Sequence, residues 1–121
     1  IRDRSNAKKY IISKGGKIFF AEYNGNIIGT FALMPTENKL TFELTKMAVD
    51  KKYRNKGIGK KLLKKCIDFS ISKNYESIIL YSNRELENAI HLYRNFGFKE
   101  IRLEKNSPYL RANIKMIKLL D

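Results

Sequence analysis

The sequence predicts an α/β (α+β) fold in which a mixed, mostly antiparallel central sheet is flanked by helices. Three observations predict it. A β-hairpin signal stands near the start, the most regular helical period follows the third predicted strand, and a short apolar strand comes directly after that helix. A strand, helix, strand succession favours a parallel pair joined by a crossover, so the sheet is mixed.

Taken in order, residues 1–13 mix charge with scattered apolar residues ahead of Gly15-Gly16, and predict a short helix with Ala7, Tyr10 and Ile11 inward. Lys17-Ile18-Phe19-Phe20-Ala21-Glu22-Tyr23 is rich in aromatic and β-branched residues, Asn24-Gly25 tolerates positive φ, and 27–34 reads as the returning strand. Turn chemistry over 35–39 leads into a long strand over 40–49, apolar on more than one face and therefore central. From Ile58 the period becomes helical: Ile58, Leu62, Leu63, Cys66, Ile67, Ser70 and Ile71 share a face, and Lys60, Lys61, Lys64 and Lys65 point outward. Residues 77–82 form a buried strand. Asn88 is placed to cap a shorter helix reaching Phe96, and Gly97 stands where a left-handed C-terminal residue is wanted. Residues 98–103 and the alternating run from Ile114 to Leu119 complete the strands.

At 121 residues there is room for one core, so residues 1–121 are expected to form one domain. A hydrophobic content of 43% with seven Tyr and seven Phe is enough to build that core. No apolar run approaches the roughly 18 residues that span a bilayer, and Ile1-Arg2-Asp3-Arg4 lacks the apolar stretch of a signal peptide, so a cytoplasmic location without membrane partners is expected. Cys66 has no second cysteine to pair with, and with His91 it makes too few ligands for a metal site. The formal charge of +13 invites a nucleic-acid partner, since basic surfaces release phosphate counterions. Abundant Lys, Ile and Asn beside scarce Pro is a compositional bias that explains the charge without one. Aromatic residues in strand interiors, rather than interleaved with Lys on an exposed face, argue further against nucleic acid. Positive charge also suits a polyanionic cofactor.

The stretch Val49-Asp50-Lys51-Lys52-Tyr53-Arg54-Asn55-Lys56-Gly57-Ile58-Gly59-Lys60 lies between the central strand and the helix. Gly57 and Gly59 let backbone pass close to a ligand, and the unpaired amides of a helix start point outward with the helix dipole behind them. Arg54, Lys56, Lys60 and Lys61 add charge suited to a pyrophosphate. A P-loop would need a glycine at position 54 and Ser or Thr after Gly59-Lys60, and a dinucleotide fingerprint would need a third glycine; neither is present.

Arg54-Asn55-Lys56-Gly57-Ile58-Gly59 resembles the Arg/Gln-x-x-Gly-x-Gly/Ala pyrophosphate loop of the GNAT N-acetyltransferases. The strand before it, Glu43-Leu44 through Val49, is similar to that family's Glu-Leu-x-x-x-x-Val. A second signature appears as Asn88-Ala89-Ile90-His91-Leu92-Tyr93-Arg94-Asn95-Phe96-Gly97-Phe98. The resemblance covers about 17–119 and departs at the N-terminus, where the family has a strand and one or two helices that help form the acceptor site. It therefore implies a GNAT acyl-CoA N-acyltransferase fold with incomplete N-terminal elements.

The resemblance also implies a function: transfer of an acetyl group from acetyl-CoA to a primary amine, on a small-molecule or peptide acceptor, by direct transfer in a ternary complex. Glu43 takes the place of the general base and Tyr93 that of the general acid. The backbone of Met47, Ala48 and Val49 binds the pantetheine arm, residues 54–60 bind the pyrophosphate, and Asn83 and Asn88 are further cofactor contacts. Tyr109 and Arg111 are candidates for the acceptor pocket. Each residue also has an ordinary reading: Glu43 paired with a lysine of a neighbouring strand, Tyr93 packed in the core, Asn88 as a cap, Tyr109 and Arg111 as loop packing, His91 solvated and Cys66 in the core. Many relatives dimerise, so a homodimer is compatible. The rival functions are a CoA-binding domain without catalysis and a basic nucleic-acid-binding module.

Overall fold

The computed structural model describes residues 2–4 and 16–121. Within them the chain runs β1 (Arg2–Arg4), β2 (Lys17–Tyr23), β3 (Asn26–Pro35), β4 (Thr41–Val49), a single 3-10 turn (Lys51–Tyr53), α1 (Ile58–Ser72), β5 (Ser77–Ser82), α2 (Glu87–Asn95), β6 (Lys99–Ile101) and β7 (Ile114–Leu119). The strands form one sheet in the order β1-β2-β3-β4-β5-β7-β6, antiparallel throughout except for the β4–β5 pair.

The hairpin forms where Asn24 and Gly25 take φ of 50° and 80°. Leu40 carbonyl bonds to the amides of Glu76 and Ser77, and a buried Thr41–Ser77 hydroxyl contact of 2.8 Å fixes the start of the parallel pair. α1 provides the crossover and packs on β3, β4 and β5. Its apolar face, Ile58, Leu62, Leu63, Cys66 and Ile67, joins Phe31, Leu33, Leu44, Ile78, Leu80 and Met116 in the core, while Lys60, Lys61, Lys64 and Lys65 are exposed. Gly29 lets the helix lie close to the sheet: a Cβ there would stand 2.9 Å from Leu62 Cδ1 and 3.4 Å from the Ala48 carbonyl oxygen.

Several expectations are corrected. The predicted helix over 1–13 lies outside the described residues except at Arg2–Arg4, which form an edge strand because they pair with Phe20–Glu22. Ile71 is 42% exposed: at 100° per residue it falls outside the face that Leu62, Cys66 and Ser70 bury. Asn88 is not the cap of α2; Leu86 holds that position without a side-chain bond, and Asn88 sits inside the first turn. The strand expected over 98–103 shortens to Lys99–Ile101, the length over which β7 pairs with it. Gly97 has φ of 93°, as its place after α2 predicts.

Candidate active site

The site follows from where the parallel ladder ends. β4 and β5 pair from Thr41/Ser77 to Leu44/Leu80, and beyond that rung β5 pairs only with β7. A bulge in β4 helps part the strands. Thr45 pairs with Ala32 and Ala48 with Thr30, so Lys46 and Met47 together oppose Phe31. Lys46 takes a left-handed φ of 55° to make this two-against-one arrangement, which bends a strand and strengthens its twist. The β5-facing edge of β4 over 45–49 is thereby left without a strand partner.

A cleft of about 740 Å³ occupies the gap. Met47, Ala48 and Val49 form one wall, Arg54, Asn55, Gly57, Ile58 and Gly59 its floor at the start of α1, and Asn88 and Tyr93 part of the wall made by α2. Lys56, Lys60 and Asn83 do not line it, although the first two stand exposed at its rim. Tyr53, Glu85, Leu86, Glu87, Ala89 and Leu92 line the cleft and were not singled out as ligand contacts. The motif reading could have found Ala89 and Leu92, which fall on the Tyr93 side of the same helix; Tyr53 and 85–87 depend on how the flanking segments pack.

The floor is an anion site in its local structure. Asp50 accepts from the Lys52 amide and starts the 3-10 turn. Arg54 Nε then donates to the Val49 carbonyl, 3.1 Å, which holds the guanidinium against the end of β4. Asn55 and Gly57 take φ of 64° and 81°, and α1 begins after Gly57 with no side-chain cap. Its first intrahelical bond is Lys61 N to Gly57 O, so the amides of Ile58, Gly59 and Lys60 remain for a ligand, at the positive end of the helix dipole. A Cβ at Gly57 would meet nothing within 4 Å, so the positive φ is what favours glycine there; at Gly59 a Cβ would stand 3.3 Å from Leu92 Cδ2, where α2 crosses the start of α1.

Tyr93 is 7% exposed and packs on Phe98 with ring centroids 5.8 Å apart. Among the described residues its hydroxyl has no hydrogen-bond partner, yet no fully buried side-chain oxygen there lacks one, so that oxygen is not fully buried and the residue lines the cleft. Burial pushes its pKa from 10.0 to about 12, with a smaller contribution from Cys66. Cys66 is itself fully buried and pushed up to about 12 by burial, a core thiol rather than a nucleophile.

Glu43 lies one rung before the ladder ends, paired with Ile79. Strand alternation puts it on the face opposite Phe42, whose ring packs on Phe69 of α1. It does not line the cleft, and it stands one rung from the point where β4 and β5 part. Its Oε2 accepts from the Tyr109 hydroxyl at 2.5 Å. Partial burial, and then Glu43, push the Tyr109 phenol up to about 12. Asn83 bonds instead to the Arg111 carbonyl through Nδ2 and to the Glu85 amide through Oδ1, both at 2.9 Å. The Arg111 side chain is exposed, as is His91.

The fold is shared with solved acetyltransferases. An acetyltransferase of the GNAT family from Staphylococcus aureus Mu50 is 36% identical with a TM-score of 0.83, over 96% of this chain and 75% of that one. A GNAT family acetyltransferase from Elizabethkingia anophelis, solved with acetyl-CoA bound, is 27% identical with a TM-score of 0.76, over 94% of this chain and 84% of that one. These likenesses define the class as an acyl-CoA N-acyltransferase fold. The description "Acetyltransferase (GNAT) domain" matches residues 14–100, and the chain belongs to the GNAT acetyltransferase family. Human N-acetylaspartate synthetase is 32% identical over 100 residues, covering 82% of this chain and 33% of that protein. The chain thus spans about a third of the length of that relative.

Proposed function

We propose that the chain is an acetyl-CoA-dependent N-acetyltransferase domain, acting on a primary amine by direct transfer in a ternary complex. The observation that carries the reading is the continuity of the open β4 edge with the unpaired amides at the start of α1. A ligand with an amide-bearing arm and a pyrophosphate matches both: the arm along Met47, Ala48 and Val49 as an added strand, the pyrophosphate on the amides after Gly57 with Arg54 beside it. Both acetyl-CoA groups fit the residues present.

The chemistry then divides among this chain's groups. An amine near lysine's reference pKa of about 10.4 is almost wholly protonated at neutral pH, so Glu43, directly or through water, removes its proton. The amine nitrogen bonds to the thioester carbonyl carbon while an amide on β4 polarises the oxygen. The carbon–sulfur bond breaks, the Tyr93 hydroxyl donates its proton to the departing thiolate, and the second proton lost from the amine nitrogen as the amide forms returns through water to the Tyr93 oxygen. A raised phenol pKa keeps the hydroxyl protonated at neutral pH. The reading takes residues 1–121 as one GNAT domain in the cytoplasm, acts on a small-molecule or peptide amine, and needs no metal, nucleic acid or membrane; no described helix is long and apolar enough to cross a bilayer.

The test is CoA release in the presence of L-aspartate, suggested by the human relative, and of L-glutamate, spermidine and a lysine peptide. Amine-dependent release is expected with at least one. Binding of acetyl-CoA with no amine-dependent release would favour a CoA-binding domain without catalysis.

A further inference from the structure

Tyr109 reaches Glu43 from the segment between β6 and β7, and that segment is fastened to β5 and the loop after it on the C-terminal side of Tyr109. The Tyr109 ring lies 5.3 Å from the ring of Tyr81 on β5. Two asparagines then tie the segment to the loop after β5. Asn83, after β5, donates to the Arg111 carbonyl at 2.9 Å, and Asn113, before β7, accepts from the Arg84 amide at 2.8 Å. Each asparagine holds the other's strand end, and the Asn113 amide adds a third bond to the Ser82 carbonyl. The loop that carries Glu85, Leu86 and Glu87 into the cleft is therefore fixed relative to the loop that carries Tyr109.

The Tyr109 bond uses only one oxygen of Glu43. Among the described residues Oε1 accepts no hydrogen bond. A glutamate has three side-chain torsions and several rotamers of similar energy, and a hydrogen bond to its carboxylate is enough to favour one. Anchoring Oε2 leaves Oε1 with a defined direction at the place where β4 and β5 part.

We propose that Tyr109 is a positioning residue: its hydroxyl anchors Oε2 of Glu43 so that Oε1 faces the acceptor amine, and the Asn83–Asn113 clamp fixes the Tyr109 segment to the loop after β5. This deepens the transferase reading and rests on Glu43 as the base.

Two measurements test it. In protein labelled with carbon-13 at tyrosine Cζ, the Tyr109 signal, assigned by its loss in Tyr109→Phe, should move in Glu43→Gln while the other tyrosines hold still. An unmoved signal overturns the contact without reference to any acceptor. In the CoA-release assay with the four amines above, Tyr109→Phe should lower kcat about tenfold and leave the acetyl-CoA Kd within about twofold, and in a Glu43→Gln background it should cost less than a further twofold or so. Equal losses in both backgrounds would make the role of Tyr109 independent of Glu43 and overturn the proposal. A Glu43→Gln enzyme as fast as the parent removes the base itself, and no release with any amine removes the transferase reading on which the proposal stands.

Discussion

Tyr93 combines two properties that a sequence pattern separates. Its place before Gly97-Phe98 points to the family's acid, while its spacing beside Ala89 and Phe96 points to a packed helix residue; in the fold the ring is buried and the residue lines the cleft, an arrangement compatible with both readings. Tyr93→Phe removes only that oxygen, so kcat should fall by about tenfold to a hundredfold while the acetyl-CoA Kd changes by less than about twofold, read by steady-state CoA release and calorimetry. The environment of Glu43 was not legible in the same way. Its motif position points to the base, but the Tyr109 hydroxyl that holds it arrives from another strand connection, and no local pattern announces that pairing. Asn83 carries a role that residue type does not announce: its two bonds to Arg111 and Glu85 tie together the loops that follow β5 and precede β7.

At the scale of elements, hydrophobic period and turn chemistry located six of the seven strands and both helices among the described residues, because alternation and helical spacing are local properties. What they missed depends on partners. The bulge at Lys46 appears only when β4 is aligned with β3, and the early end of β6 only when it is aligned with β7. Asn88 suits a cap by residue type, yet α2 begins two residues earlier than a cap at that position would place it, with Glu87 in its first turn. Gly29 also acquires meaning only from packing. Gly29→Ala would drive a methyl against the buried Leu62 side chain, displacing it and with it the start of α1, and should cost about 1–3 kcal/mol in urea denaturation. Since the amides at the start of α1 would shift with it, acetyl-CoA affinity should fall as well.

For the whole molecule, the buried acids make stability depend on alkaline pH. Cys66 is raised from 9.0 and Tyr93 from 10.0, each to about 12, so the unfolded chain releases these protons at lower pH than the folded one does. Where the unfolded state binds fewer protons, unfolding free energy falls as pH rises. The urea midpoint should therefore begin to decline near pH 9.0, and Cys66→Ala should delay the decline toward pH 10.0, the ordinary value of the tyrosine. An identical pH profile for the parent and Cys66→Ala would mean that the thiol ionises alike in both states.

The site as a whole is a product of one topological event, the end of the β4–β5 ladder, which opens a strand edge and aims it at a helix start. Calorimetric titration with acetyl-CoA tests that account most directly. The parent should bind one equivalent with a Kd on the order of 1–100 µM, and Arg54→Ala should weaken binding about tenfold without changing the urea midpoint. No saturable binding by the folded parent, or an Arg54→Ala protein that binds equally well, would contradict the assignment of the cleft.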